Sequence, residues 1–191
     1  MTSDQAVQAL IDALESTGVD YMLVGSLSSN AYGIPRSTKD ADAVVALGRD
    51  QLRAIVEQLG PAFRLEPQGA FETVTATIKH VIHVSESPFK IELFEPSDDP
   101  HDQERFRRRA RVRLFGRPTY IPSPEDVIVT KLRWSRLGRR GRDVDDVRNV
   151  IAVQGQKLDW PYVEHWCALH GTTDVLDEVR QSIPTSPPDQ P

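Results

Sequence analysis

Hydrophobic positions recur along the chain with two periods, and each change of period marks a new element. Ala6, Leu10, Ile11 and Leu14 repeat at helical spacing behind Thr2 and Gln5, a capping-box pair, so residues 3–16 are predicted as an amphipathic helix that Gly18 ends. The apolar run Tyr21 to Val24 predicts a short buried strand that stops at Gly25-Ser26. A short helical piece, Leu27 to Tyr32, follows and halts at Gly33 and Pro35. Asp40-Ala-Asp42 then opens a second strand, 41–46. Leu52, Ile55, Val56 and Leu59 predict another amphipathic helix over 49–59, closed by Gly60-Pro61.

From Phe71 the residues become β-branched, predicting strands at 71–78, 81–84 and 89–94, the last two joined as a hairpin through Ser87-Pro88. A loop dense in turn residues, 95–101, leads into a basic helical segment, 102–109. Residues 112–115 and 118–121 read as a small hairpin around Gly116-Arg117. After Ile121 the helical period takes over. Ser123-Pro124-Glu125 is a helix start, and helices are predicted to about 137 and over 143–153, 160–169 and 174–182. The expected class is α+β: a core over residues 1–121, a helical region over 122–183 that completes the site, and a Pro-rich tail, 184–191, read as disordered.

Composition changes this picture little. No apolar run approaches the length of a membrane span, and the N-terminus lacks a basic region followed by an apolar core. A single cysteine, Cys167, excludes an internal disulfide and a cysteine metal cluster. A cytoplasmic protein without a membrane role is the expectation. Charge distribution matters more. The net charge is −5, yet the Arg105–Arg142 window holds thirteen basic residues against Glu125 and Asp126, a net +11, leaving −16 elsewhere. Such polarity fits either a polyanion on one face or a basic surface paired with acidic segments.

The candidate chemistry begins with Asp40 and Asp42. Alternation along a strand puts both on one face, with Cα atoms about 7 Å apart. Two carboxylates on one face repel unless a cation neutralises them, and a divalent ion is the usual one. Glu92, a lone acid in an apolar strand, supplies a third carboxylate if that strand lies beside the first; an outward-facing Glu alternating with Lys90 is the plainer alternative. Gly25-Ser26 at a strand-to-helix turn suits a phosphate, or serves as a plain helix cap. His80 and His83 are poorly spaced co-ligands, and Trp134, Trp160 and Trp166 read as packing residues.

Gly25-Ser26, the run Arg36-Ser-Thr38-Lys-Asp40-Ala-Asp42 and the acid at Glu92 together resemble the DNA polymerase β-type nucleotidyltransferase superfamily, and within it the small bacterial AbiEii-like proteins. The run Pro124 to Leu132 with Lys131, followed by Arg142-Asp143-Val-Asp-Asp146, is similar to the Lys helix and the Asp helix of that group. The resemblance implies a mixed sheet flanked by helices with a helical C-terminal region. It also implies a catalytic set of Asp40, Asp42, Glu92 and Lys131. Asp40, Asp42 and Glu92 would bind two Mg²⁺ ions, or Mn²⁺ in their place. Gly25, Ser26, Arg36, Thr38, Lys131, Asp143 and Asp146 would bind the nucleoside triphosphate. Nucleoside monophosphate transfer follows from this, with the basic Arg105–Arg142 segment favouring RNA or tRNA as acceptor and with a place in a toxin–antitoxin pair beside a cognate antitoxin. The alternatives are a degenerate binding or antitoxin-like module, and transfer to a protein or an aminoglycoside-type hydroxyl.

Overall fold

The computed structural model describes residues 1–48, 50–138 and 141–183; the predicted disordered tail, 184–191, lies outside them. The chain divides into two compact units, Met1–Ala31 with Pro35–Ser123, and Tyr32–Ile34 with the chain from Pro124 on.

In the first unit, α1 (Ser3–Thr17) starts at Thr2, whose hydroxyl accepts from the Gln5 amide while the Gln5 side chain accepts from the Thr2 amide. Next come β1 (Tyr21–Val24), α2 (Gly25–Tyr32), β2 (Asp40–Val45) and α3 (Gln51–Leu59). They are followed by β3 (Phe63–Leu65), β4 (Ala70–Glu72), β5 (Thr77–Val84), β6 (Lys90–Phe94), α4 (Pro100–Arg107), β7 (Ala110–Leu114) and β8 (Arg117–Ile121). The sheet order is β1-β2-β6-β5-β3, with β4 also paired to β5. β2 and β6 run parallel, and the other pairs are antiparallel. A parallel pair needs a crossover, and the chain between β2 and β6 supplies it while laying down β3, β4 and β5.

The core of this unit is built from the apolar faces the pattern predicts. Leu10, Ile11 and Leu14 of α1 are fully buried with Met22, Leu23, Ile55, Ile82, Ile91 and Leu93. Each such side chain contributes about 1.5–3 kcal/mol on leaving water. The β7–β8 hairpin is anchored by Thr119, whose hydroxyl lies 3.0 Å from the Tyr21 hydroxyl, and by the edge-to-face packing of Tyr120 on Tyr21. Burial pushes the Tyr21 phenol well above its ordinary value, so it stays neutral and acts as a hydrogen-bonding group.

Three stretches differ from expectation. The predicted strand 71–78 is broken: β4 ends at Glu72, residues 73–76 turn, and β5 begins at Thr77. Polar side chains make the turn. Glu72 accepts from the Val74 amide at 3.0 Å, and the Thr75 and Thr77 hydroxyls pair at 2.8 Å. β-branched composition does not register such local bonds. The predicted strand at 81–84 is the second half of β5. β3 carries only three residues, too few for an alternating signal.

The second unit holds α5 (Pro124–Gly138), α6 (Gly141–Gln154), α7 (Trp160–His170) and α8 (Thr173–Ser182). Ile128, Val129, Leu132, Val147, Val150, Val163, Cys167 and Leu176 are buried in one cluster, with Trp160 and Trp166 packed against it. Burial raises the Cys167 thiol pKa, and a bond to Thr172 only partly offsets this. A neutral buried thiol is a poor nucleophile. Native protein is therefore expected to react with a disulfide reagent about a hundred-fold more slowly than unfolded chain. Absorbance-monitored labelling with and without denaturant checks this, and equal rates would place Cys167 at the surface. Among the described residues no helix is long and apolar enough to cross a membrane.

Candidate functional site

β2 exposes and buries alternate residues: Asp40 and Asp42 are part-exposed, while Ala41 and Ala43 are fully buried beneath them. The small alanines fit the close packing that a central strand imposes. β6 brings the third acid alongside, since Asp42 pairs with Glu92 and Asp40 with Lys90 in the parallel register. Residues in register on adjacent strands share a face. Asp40, Asp42, Lys90 and Glu92 therefore form one polar patch on the sheet.

On the other side of β2 stands the Gly-Ser turn. Val24 pairs with Asp42, which sets Gly25 directly against the aspartate. Gly25 has φ +61°, and a Cβ there would lie 2.1 Å from Asp42 Oδ2. Only glycine permits both the left-handed backbone and that approach. The α2 helix starts at this residue, so its first amide groups begin where the carboxylates sit. Gly25→Ala is expected to cost about 1–2 kcal/mol in backbone strain and to push Asp42 aside. A thermal melt beside wild type measures the cost.

The segment between α2 and β2 is tied down at several points. Asn30 Nδ2 donates to the Arg36 carbonyl at 2.7 Å, and the Arg36 amide donates back to Asn30 Oδ1 at 3.1 Å. The Arg36 guanidinium then reaches Ser26, donating to Oγ at 3.0 Å. Thr38 Oγ1 donates to Asp40 Oδ1 at 2.9 Å and approaches the Asp40 carbonyl at 3.1 Å. Gly25, Ser26, Arg36, Thr38, Asp40, Asp42 and Glu92 are thus gathered in this unit by short, direct contacts and strand register.

Three residues escape the sequence reading of the site. Asn30 fixes the Arg36 backbone, and no motif signals it. Lys90 and Lys79 both donate to Glu92 Oε1, at 2.5 and 3.2 Å. Lys90 had a legible signal, since it sits two residues before Glu92 on the same strand face. Lys79 reaches in from β5, which sequence spacing does not reveal; its ammonium also lies 5.7 Å from the Phe94 ring centre. Burial pushes the Glu92 carboxyl up, but the Lys90 bond and the Lys79 charge outweigh this and hold it below the ordinary carboxylate range. The Glu92 bond raises Lys90 above the ordinary lysine value, with weaker help from Asp40 and Asp42. Among the described residues Glu92 Oε2 takes no hydrogen bond.

The donor set fits Mg²⁺, which prefers carboxylate and phosphate oxygens. The missing Cβ at Gly25 leaves Asp42 Oδ2 the space it occupies against the turn.

In the second unit, Lys131 of α5 donates to Asp143 and lies 2.8 Å from Oδ2 of Asp146, both on α6. All three are buried, and Asp143 Oδ2 has no hydrogen-bond partner. The basic window turns out to be extensively neutralised. Arg105 pairs with Asp102 in a buried contact of 2.7 Å, and Arg107 with Glu104. Arg109 pairs with Asp20, Arg111 with Glu15, Arg117 with Asp12 and Arg136 with Asp174. With Lys131, at least seven of the window's described basic residues have acidic neighbours. His80 and His83 each bond a glutamate, Glu95 and Glu66.

No family model and no curated protein matches the chain. Solved structures do. The solution structure of the antibiotic-resistance factor ANT(2'')-Ia aligns over 93% of this chain and 96% of its own, at TM-score 0.62 and 15% identity. ANT(2'')-Ia crystallised with adenylyl-2''-tobramycin aligns over 91% and 99%, at TM-score 0.60 and 14% identity. This chain has the nucleotidyltransferase fold. An antigenic nucleotidyltransferase-like protein from Paracoccidioides brasiliensis aligns over 97% and 96%, at TM-score 0.55 and 16% identity. At such identities the likeness concerns the nucleotidyltransferase fold alone.

Proposed function

We propose that this protein is a Mg²⁺-dependent nucleotidyltransferase that moves a nucleoside monophosphate from a nucleoside triphosphate to an acceptor hydroxyl. The observation that carries the reading is the approach of Gly25 to Asp42, beside Asp40 and in register with Glu92. A fold needs no left-handed glycine pressed against a carboxylate in an acidic patch, whereas a metal–triphosphate site does.

Asp40 and Asp42 would hold the ion, and Glu92 offers Oε2 as a third oxygen. Bound Mg²⁺ would supply Lewis acidity toward the phosphates and neutralise charge on the pyrophosphate. The chain's own residues do the rest. Ser26 and the first α2 amides face the outer phosphates, with Arg36 adding a positive charge. Thr38 fixes the Asp40 carboxylate. Lys131, Asp143 and Asp146 would steady the triphosphate. The acceptor oxygen bonds to the α-phosphorus as the bridge to the β-phosphate breaks, and pyrophosphate leaves. The hydroxyl proton would pass to water.

For the acceptor, the pairing of seven basic residues weakens the case for RNA and tRNA, because paired charges release fewer counterions on binding. The likeness to ANT(2'')-Ia over nearly the whole chain supports a small polyhydroxylated molecule of the aminoglycoside type instead. One assay decides: labelled triphosphates, all four in turn, with Mg²⁺ and either total RNA or a panel of aminoglycosides. Label on a small molecule supports this reading, and label on RNA restores the polyanion acceptor. Nucleotide binding without transfer to any acceptor supports a degenerate binding module, and no binding at all sinks the proposal. A toxin role needs a further result, growth arrest on expression that a cognate antitoxin relieves.

A further inference from the structure

We propose that this site works with one divalent cation rather than two, the Lys90 ammonium standing where a second ion would otherwise be held. The inference rests on the nucleotidyltransferase reading above and concerns how that site is charged. Three carboxylates, Asp40, Asp42 and Glu92, share one sheet face. Without lysines they would carry three negative charges. Two ammonium groups are already committed there. Lys90 Nζ lies 2.5 Å from Glu92 Oε1, and Lys79 Nζ lies 3.2 Å from the same oxygen.

Glu92 is buried, at 8% exposure, so this pairing occurs where water screens little. Lys79 comes from a neighbouring strand and is packed by the Phe94 ring, which makes it a fixed element of the patch. Lys90 differs. Its side chain is 39% exposed, it stands in register with Asp40, and it shares the face with Asp42. It is therefore the cation on the open side of the carboxylate group. A second divalent ion bound through Glu92 Oε1 would sit against this ammonium and be repelled, whereas one bound by Asp40, Asp42 and Glu92 Oε2 would not need the oxygen that Lys90 holds. An ammonium also bonds phosphate oxygens directly, which lets Lys90 supply charge to the triphosphate without a coordination shell.

The test counts ions. Protein-bound Mn²⁺ is measured by equilibrium dialysis with a mixture of the four α,β-methylene nucleoside triphosphates, which bind but do not react. Wild type is expected to hold one Mn²⁺ per chain, and Lys90→Gln two. Lys90→Arg, which keeps the charge, should stay at one. Lys90 is exposed enough for both variants to fold, and circular dichroism verifies it. Two ions on the wild-type chain, or a Lys90→Gln count that stays at one, overturns the single-ion inference and leaves the nucleotidyltransferase reading standing. A wild-type chain that takes up no Mn²⁺ with nucleotide, or an Asp40→Asn/Asp42→Asn variant that binds as much as wild type, overturns the reading itself.

Discussion

Asp40→Asn or Asp42→Asn is expected to lower nucleotidyl transfer about a thousand-fold, equivalent to roughly 4 kcal/mol at the transition state. The substitution removes a charge without changing shape, so it opens no cavity. It also relieves repulsion between two acids on one strand face, so the melting temperature should stay level or rise. That combination distinguishes a functional carboxylate from a structural one, whose loss would leave hydrogen-bonding groups unpaired and lower stability. The measurement is labelled-triphosphate transfer with the accepted nucleotide, beside a thermal melt. A variant that keeps more than about a tenth of wild-type transfer would remove the aspartates from the catalytic role, because a lost ion ligand costs far more than that. Gain of stability with loss of activity is the pattern expected of groups held in an unfavourable arrangement for function.

The paired aspartates were legible in the sequence because strand alternation is a strict geometric rule: two acids at i and i+2 must share a face, whatever surrounds them. Gly25-Ser26 was legible as a turn, but its closeness to Asp42 depends on the β1–β2 register, which pairs Val24 with Asp42. Long helices such as α1 and α5 were legible from their apolar period and end signals. The break at residues 73–76 was not, since it is decided by the Glu72 and Thr75 side chains bonding locally rather than by hydrophobicity. The lysines around Glu92 show the same limit. Lys90 lies on its own strand face and could be inferred, whereas Lys79 needs the β5–β6 pairing. The Arg105–Arg142 window is a further case. Its charge is plain in composition, yet Asp12, Glu15 and Asp20, which neutralise part of it, lie about ninety residues or more earlier in the chain.

Lys131→Met is expected to destabilise the protein by about 3–5 kcal/mol, a large share of a total of about 5–15 kcal/mol. Lys131 is the ammonium between Asp143 and Asp146, at 2.8 Å from each, and all three residues are at most 9% exposed. Removing it leaves two carboxylates buried with their counter-charge gone, one of which already has an unpaired oxygen at Oδ2. Either acid must then take a proton or the α5–α6 packing must open to water, and each costs free energy. Replacing the whole group by apolar residues, Lys131→Met with Asp143→Leu and Asp146→Leu, should recover most of the loss, since a buried ion cluster is often no more stable than apolar packing of similar volume. Urea denaturation of the full chain measures both steps. A loss under about 1 kcal/mol for Lys131→Met would mean that water already reaches the cluster, as at an exposed pair. If the triple variant regains stability yet binds nucleotide as tightly as wild type, the cluster serves α5–α6 packing and not the triphosphate. If it regains stability and nucleotide affinity drops at least ten-fold, its charges act on the ligand, which explains a costly ionic cluster where apolar side chains would pack as well.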